Sequence, residues 1–143
     1  AAGQSTRKGL EVSGSLSASK NWTITSAYTF TDSKGADTAG EIRRPKHVGS
    51  FIVNYRSDNQ RSNLNINVLL NGKQKDFEFI ASTPETLVTL SEYYLLNAAL
   101  SYDFSKKQKI FLRVSNLLGT DYSEVFSYRG PGRLVMAGFE LGF

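Results

Sequence analysis

Apolar and polar side chains alternate along most of the chain, in runs of about ten residues, the length of a tilted membrane-spanning strand. The last run is the clearest, because apolar residues occupy every position of one face, whereas the other face carries Leu134, Met136, Gly138, Glu140 and Gly142. The apolar set consists of Val135, Ala137, Phe139, Leu141 and Phe143. Successive side chains of a strand point to opposite sides of a sheet, so this period of two predicts β-strands with one apolar face.

Seven runs of this kind predict seven strands in an all-β chain. The apolar positions of the first six are Leu10, Val12, Leu16 and Ala18; Trp22, Ile24, Tyr28 and Phe30; Phe51, Val53 and Tyr55; Leu64, Ile66, Val68 and Leu70; Tyr94, Leu96, Ala98, Leu100, Tyr102 and Phe104; and Leu112 and Val114. Short polar turns at residues 19–21, 57–60 and 105–108 alternate with longer connections at residues 31–47, 72–92 and 122–132. Short turns on one side and long loops on the other are typical of an antiparallel transmembrane β-barrel.

One predicted strand carries a ladder of asparagines opposite its aliphatic residues. Asn63, Asn65, Asn67 and Asn71 share that side, with Leu69 as its one apolar residue. Asparagine is depleted in strands, and four amides in a dry core would be unfavourable. We therefore expect the asparagines to line a wet lumen and the aliphatic residues to face lipid.

Composition and charge remove several kinds of function. The 143 residues contain no cysteine, so no disulfide framework or thiol chemistry is available. The net charge of +4 arises from scattered lysines and arginines, a pattern that does not favour a nucleic-acid partner. His47 is the only histidine, and no catalytic constellation stands out, so we expect a solvated loop histidine, no enzymatic activity and no cofactor.

The segment of residues 116–133, followed by the alternating strand that ends at Phe143, resembles the end of TonB-dependent outer-membrane receptors. The positions that match are Asn116, Leu117, Leu118, Asp121, Tyr122, Tyr128, Gly132 and Arg133. The likeness runs back through residues 42–47 and extends over the whole chain. Within the family it is most similar to vitamin B12 (cobalamin) receptors, and siderophore receptors share much of it.

The resemblance implies a 22-stranded barrel with an N-terminal plug in the bacterial outer membrane. Residues 1–143 would then supply about seven strands of its C-terminal part, without the plug and the remaining strands. The odd strand count agrees with an incomplete barrel, since closed bacterial barrels normally have an even number. The implied function is active uptake of a scarce nutrient, vitamin B12 or an iron–siderophore complex, energised through TonB. The implied partners are TonB and its inner-membrane motor through the plug, membrane lipid, the barrel-assembly machinery and the rest of the barrel.

In the implied orientation the long loops lie outside the cell. Tyr128, Arg129 and Arg133, in or beside the last outer loop, are candidate ligand contacts, although loop stability explains them equally well. Phe139, Leu141 and Phe143 resemble the C-terminal signal by which such barrels are recognised for insertion. The alternative for Phe143 is a simple anchor in the aromatic girdle.

The girdle and the lumen give further expectations. The periplasmic rim would be marked by Trp22, Tyr55, Tyr102, Phe104 and Phe143, and the outer rim by Tyr28, Phe30 and Tyr94. The charges of Arg56, Arg113 and Glu140 would form a network on the lumen wall.

Two alternatives stay open at the level of sequence. A soluble ligand-binding barrel of lipocalin type would show the same alternation but would pack its apolar face inward. A passive porin would lack a plug in its full gene.

Overall fold

A computed structural model describes residues 5–34, 41–81 and 83–142, and these residues form an all-β structure. Eleven strands occur in this part of the chain. They are β1 (Thr6–Ser17), β2 (Trp22–Lys34), β3 (His47–Arg56), β4 (Ser62–Asn71), β5 (Gln74–Glu78), β6 (Thr86–Leu90), β7 (Tyr93–Ser105), β8 (Gln108–Ser115), β9 (Ser123–Val125), β10 (Tyr128–Arg129) and β11 (Leu134–Leu141). None of the described residues belongs to a helix that is long and apolar enough to cross a membrane.

Seven of the strands form one antiparallel sheet in the order β1-β2-β3-β4-β7-β8-β11. These are the seven strands predicted from the alternating runs, and the prediction is confirmed. The four remaining strands form two small two-stranded sheets, β5 with β6 and β9 with β10, inside the long connections. The fold is therefore a wall of seven strands with short turns at one end and structured loops at the other.

The long connections differ from their predicted bounds. The first was expected to run over residues 31–47, but β2 continues to Lys34 and β3 already begins at His47. Strand pairing is a property of the backbone, so polar residues such as Thr31 and Ser33 extend the ladder with β1. The second, residues 72–92, contains the β5–β6 hairpin, which was expected only as a partial extension of the flanking strands.

The pairing register places the apolar positions of all seven strands side by side. One continuous row across the sheet consists of Leu16, Ile24, Val53, Ile66, Ala98, Val114 and Val135. The adjacent row, on the opposite face, consists of Ser17, Thr23, Asn54, Asn65, Ala99, Arg113 and Met136. A shift of one residue in any strand would exchange these faces, so the register and the pattern support each other.

The apolar face has no closed core behind it. Among the described residues only Tyr93 is a buried hydrophobic side chain, at 7 % exposure. Leu16, Val135 and Phe139 on the apolar face are 62 %, 60 % and 55 % exposed. A lipocalin-type barrel would bury this face, whereas a membrane barrel leaves it for lipid.

Aromatic residues cluster at both ends of the apolar face, as the girdle prediction requires. At the short-turn end, the rings of Trp22 and Tyr55 are 4.7 Å apart. At the loop end, Tyr28 Oη lies 2.6 Å from Nδ1 of His47, and the ring of Phe30 lies 5.3 Å from the imidazole. His47 is thus part of a strand and of the aromatic cluster at the loop end, not the loop residue expected from its sequence neighbours. Phe143 lies outside the described residues.

On the opposite face, Glu140 of the expected network pairs with Lys109, a residue that was not among those predicted. Lys109 Nζ lies 3.5 Å from Glu140 Oε2 and 3.9 Å from Asp103 Oδ1. The Arg113 guanidinium lies 5.1 Å from the ring centre of Phe111, a cation–π arrangement. The Phe111 ring occupies the space where a β-carbon on Gly138 would lie, which explains the glycine there.

The two faces can be distinguished by arginine substitutions at neighbouring positions of β4. Ile66→Arg should destabilise the folded barrel by about 2–4 kcal/mol, because a charge near the bilayer midplane must be taken into hydrocarbon. Asn67→Arg should be tolerated far better, because its side chain enters the wet lumen. Urea unfolding of the full-length receptor in lipid vesicles measures both, and equal effects of the two variants would contradict the assignment of faces.

Candidate functional site at the loop end of the sheet

Three connections meet above the loop end of the sheet. We call them the loop cluster and define it as residues 41–46, 72–81, 83–92 and 116–133. The cluster contains both small sheets, and β6 contacts β9. Its members are held together by a few buried polar side chains.

Asp76 connects all three parts of the loop cluster. Its carboxylate is completely buried. Oδ1 accepts hydrogen bonds from Arg43 Nε at 3.0 Å and from the Phe77 amide at 2.9 Å. Oδ2 accepts one from the Phe126 amide at 2.6 Å. One carboxylate therefore joins the β2–β3 connection, the β5–β6 hairpin and the β9–β10 loop.

The charged form of Asp76 is favoured by these contacts. Burial alone would raise the pKa of the Asp76 carboxyl, because it removes water from the charge. The amides of Phe126 and Phe77 and the guanidinium of Arg43 act in the opposite direction and lower the pKa below its ordinary value. Asp76 is thus an ionised structural anchor.

Arg43 adopts a backbone conformation that arginine rarely occupies, with φ of 56°. Two contacts hold it there: its amide donates to the Lys75 carbonyl oxygen at 2.7 Å, and its side chain binds Asp76. A strained residue of this kind persists only where its surroundings determine its position. The β2–β3 connection is therefore fixed against the β5–β6 hairpin.

A second set of contacts holds β9 over the start of β7. Gln74 Nε2 donates to the Glu124 carbonyl oxygen at 2.7 Å, and the Tyr93 hydroxyl donates to Glu124 Oε1 at 2.9 Å. The rings of Tyr93 and Tyr122 are 4.5 Å apart. Gln74 and Tyr93 are both buried, so these bonds are shielded from water.

Asn116 closes the base of the last loop. It is 4 % exposed and has φ of 50°, a conformation that asparagine tolerates better than most residues. Its Nδ2 donates to the carbonyl oxygens of Thr120 at 2.9 Å and Pro131 at 3.2 Å, and its Oδ1 accepts from the Thr120 amide at 2.8 Å. Its own amide donates to Asn97 Oδ1 at 2.9 Å. The asparagine of the sequence motif thus ties both ends of the loop to β7.

Two open cavities lie against the last loop. One has a volume of about 520 Å³ and runs between the β6–β7 junction and the last loop, where Glu92, Tyr93, Tyr122, Ser127 and Arg129 line it. The other, of about 320 Å³, is lined mainly by Tyr122, Glu124, Tyr128, Arg129 and Pro131. Each lining contains two tyrosines and the guanidinium of Arg129, and the larger one also contains two carboxylates and four hydroxyl side chains.

The structure brings together two of the three candidate ligand contacts. Tyr128, 65 % exposed, and Arg129 form β10 and line the smaller cavity. Arg129 is ion-paired with Asp121. Arg133 lines neither cavity, and its guanidinium lies beside Gly119 at the base of the loop. Of the proposed assembly signal, Phe139 and Leu141 lie on the apolar face of β11, and Phe143 is not among the described residues.

Sequence reasoning missed an aromatic cluster on the loops. The ring of Phe79 lies 6.1 Å from Phe126 and 6.4 Å from Tyr128. Phe79 and the adjacent Ile80 are 40 % and 65 % exposed. The available signal was the presence of large apolar residues such as Phe79, Ile80 and Phe126 in these loops, but their proximity depends on how two distant loops pack. Within the described ranges, no three His, Asp or Glu side chains converge as metal ligands.

The family model described as TonB-dependent receptor-like β-barrel matches residues 1–117 of the chain. No curated protein sequence matches the chain.

Three solved receptor structures have the same fold. The ferripyoverdine receptor of the Pseudomonas aeruginosa outer membrane, bound to ferripyoverdine, superposes on 96 % of this chain with a TM-score of 0.80 and 15 % identity. The closed form of the ferric-catecholate import receptor Fiu from Escherichia coli K12 superposes on 99 % of this chain, with a TM-score of 0.81 and 20 % identity. The siderophore receptor PiuA from Acinetobacter baumannii superposes on 96 % of this chain, with a TM-score of 0.77 and 17 % identity. The chain spans 19 %, 21 % and 22 % of these receptors, about one fifth of their length.

Replacing Asp76 should loosen the loop cluster and leave the seven-stranded sheet intact. In Asp76→Ala the amides of Phe126 and Phe77 lose their acceptor, and each buried donor left unsatisfied destabilises the loops by about 1–3 kcal/mol. Hydrogen–deuterium exchange of the full-length receptor should become faster in residues 74–90 and 123–129. Asp58→Ala, which removes an exposed acid from a short turn, is the matched control, and unchanged exchange in the Asp76 variant would refute the anchoring role.

Acid should have the same effect as the substitution. Because the folded pKa of Asp76 lies below its unfolded value, its contribution is fully present above about pH 4, the ordinary range of an aspartate. The contribution is lost as the pH falls through the folded pKa. Protection factors in the loops, which correct for the intrinsic pH dependence of amide exchange, should therefore fall at low pH in the wild type and change less in Asp76→Ala.

Proposed function

The chain belongs to the TonB-dependent receptor β-barrel family, and on this premise we propose that it is the C-terminal part of an active-transport receptor. Its seven spanning strands lie in the outer membrane of a Gram-negative bacterium. In the proposed receptor this segment supplies one part of the barrel wall and three of the outer loops. The family match over residues 1–117 is the observation that carries the proposal.

The proposed cargo is an iron–siderophore complex. Support comes from the functions of the three similar structures, a ferripyoverdine receptor, a ferric-catecholate import receptor and a siderophore receptor. Cobalamin, the other cargo that the sequence suggested, has no counterpart among these three. The receptor would bind and release the complex without chemical change, so the function needs no catalytic group.

The loop cluster would form part of the ligand-binding surface. Tyr128 and Arg129 present an aromatic ring and a guanidinium to the smaller cavity. A ring can stack on a flat chelating group, and a guanidinium can bind its anionic oxygens. The contacts of Asp76, Asn116 and Tyr93 order the loops before ligand arrives, which reduces the entropy lost on binding.

The polar face of the sheet would surround the plug. Its asparagine ladder supplies amide donors and acceptors, and Asn67 Oδ1 is buried without a hydrogen-bond partner in the described part of the chain. A plug domain or ordered water would complete such a group. In the proposed mechanism TonB, driven by the inner-membrane motor, pulls on the plug and opens a path along this polar wall.

The sheet edges indicate where the rest of the barrel would attach. Within the described residues, β1 pairs only with β2, and β11 pairs only with β8. Unpaired edges invite further strands. We propose that the preceding strand of the receptor pairs with β1 and that its first strand pairs with β11 to close the barrel.

Uptake measurements on the full-length receptor test the cargo and the binding residues together. Cells that depend on this receptor should accumulate radioactive iron from a siderophore complex but no labelled cobalamin. Arg129→Ala should weaken siderophore binding about tenfold, the loss expected for one charge-assisted contact. Arg61→Ala, the same change in a short turn at the opposite end, is the control. Cobalamin uptake without iron uptake would overturn the proposed cargo.

Deletion of Phe143 tests the proposed assembly signal. An incoming terminal strand can pair with the insertion machinery through its backbone, with alternate side chains giving specificity. Removing Phe143 should lower the amount of receptor at the cell surface, while each inserted molecule keeps its ligand affinity. Protease shaving measures the first quantity, and ligand binding per inserted molecule measures the second. Normal surface levels with weakened binding would assign Phe143 to the finished barrel instead.

A further inference from the structure

The apolar face of the sheet carries a basic cluster just above its outer aromatic rim. The alternation that places Tyr28 and Phe30 on the apolar face also places Asp32 and Lys34 there. Asp32 lies two residues beyond Phe30, or about 7 Å further along the strand. The side chains of this outward face therefore change from aromatic to charged within one step of the pleat.

Three lysines surround the single carboxylate of Asp32. Lys8 of β1 is the direct cross-strand partner of Asp32, and Lys34 is paired with Thr6, which makes Lys8 and Lys34 diagonal neighbours. Lys46 Nζ lies 2.7 Å from Asp32 Oδ1. We call Lys8, Lys34 and Lys46 the lysine cleft. Its formal charge together with Asp32 is about +2, since three cations face one anion.

A cavity opens within this cluster. It has a volume of about 220 Å³ and is lined by Thr6, Lys8, Asp32 and Lys34. A larger cavity of about 450 Å³ shares Asp32 and Lys34 with it. The larger one is also lined by Ser33, Glu41, Arg44, Lys46, Lys73, Gln74, Lys75 and Thr89. Cations outnumber carboxylates in both linings, so the positive potential extends from the rim into the loops.

The position of the lysine cleft restricts its partner. It lies on the face that contacts lipid and at the level where the apolar belt ends, so the nearest molecules in the membrane are lipid headgroups. A cluster of lysines beside a membrane surface attracts anionic headgroups. A ligand entering through the lumen approaches the opposite face of the same strands.

We propose that the lysine cleft binds the phosphate of an anionic lipid headgroup in the outer leaflet, the phosphorylated glycolipid lipid A being the fitting partner. Lys8 and Lys34 hold the phosphate from two neighbouring strands, and Asp32 keeps Lys46 directed towards it. The acyl chains of the same lipid lie along Phe30, Tyr28 and the aliphatic residues below. The inference rests on the proposed placement of the long loops outside the cell.

Native mass spectrometry of the full-length receptor in detergent, titrated with bisphosphorylated lipid A, tests the proposal. The triple variant Lys8→Gln, Lys34→Gln and Lys46→Gln should raise the Kd for lipid A roughly 100-fold, which corresponds to about fivefold per lysine. The matched control is Lys20→Gln, Lys106→Gln and Lys107→Gln, which removes the same charge from the short turns and should leave the Kd nearly unchanged. Heat-modifiable migration in gels verifies that both variants fold.

Two further probes separate the sources of phosphate. Dephosphorylated lipid A should bind the wild type as weakly as lipid A binds the cleft variant, and millimolar inorganic phosphate should not displace lipid A. Equal binding of both lipids, equal loss in the control variant, or displacement by inorganic phosphate would each overturn the proposal. The double variant Lys8→Gln and Lys34→Gln, whose two residues lie outside the loop cluster, should bind lipid A more weakly but keep the siderophore affinity of the wild type, so this result is independent of the transport function.

Discussion

In a hydrocarbon layer, every backbone amide and carbonyl must find its partner within the protein, and the rest of this structure depends on that requirement. The seven-stranded ladder meets it by pairing each strand with its neighbours in an antiparallel register, which shifts once, between Asp103 and Ser105 at the turn from β7 to β8. Once the ladder is fixed, side chains can only alternate between two faces. Leu16, Ile66 and Val135 are then directed to lipid by the same hydrogen bonds that direct Asn65 and Arg113 to the lumen.

The sequence was sufficient to predict the seven-stranded sheet, because the alternation of side chains along a strand is a local property. A period of two appears in any ten-residue segment, so the seven strands, their faces and the rims of Trp22 and Tyr28 were all predictable. The loops follow no such rule. Asp76 contacts Phe126 and Gln74 contacts Glu124, each across fifty positions of sequence, and nothing near Asp76 marks it as a residue that will be buried.

The candidate binding surface lies between these two cases. Tyr128 and Arg129 were selected because they lie in the loop that the motif marks, and they do share a cavity. Arg133 was selected on the same grounds but lies beside Gly119, since the loop returns to the sheet before reaching it. A motif thus identified the correct loop but could not specify which side chains converge, because that depends on Tyr122, Glu124 and their contacts with β7.

The burial of one carboxylate between three connections has a consequence for protein engineering. A peptide that copies a single loop, whether as an immunogen or as a graft on another scaffold, would lack the partners that hold it in shape. Arg43 would lose the contacts that stabilise its left-handed backbone, and the amide of Phe126 would have only water as acceptor. The smallest unit that would keep this loop conformation on another scaffold therefore consists of three segments and includes Asp76. Its segments would have to be displayed on strands with the spacing of the original sheet.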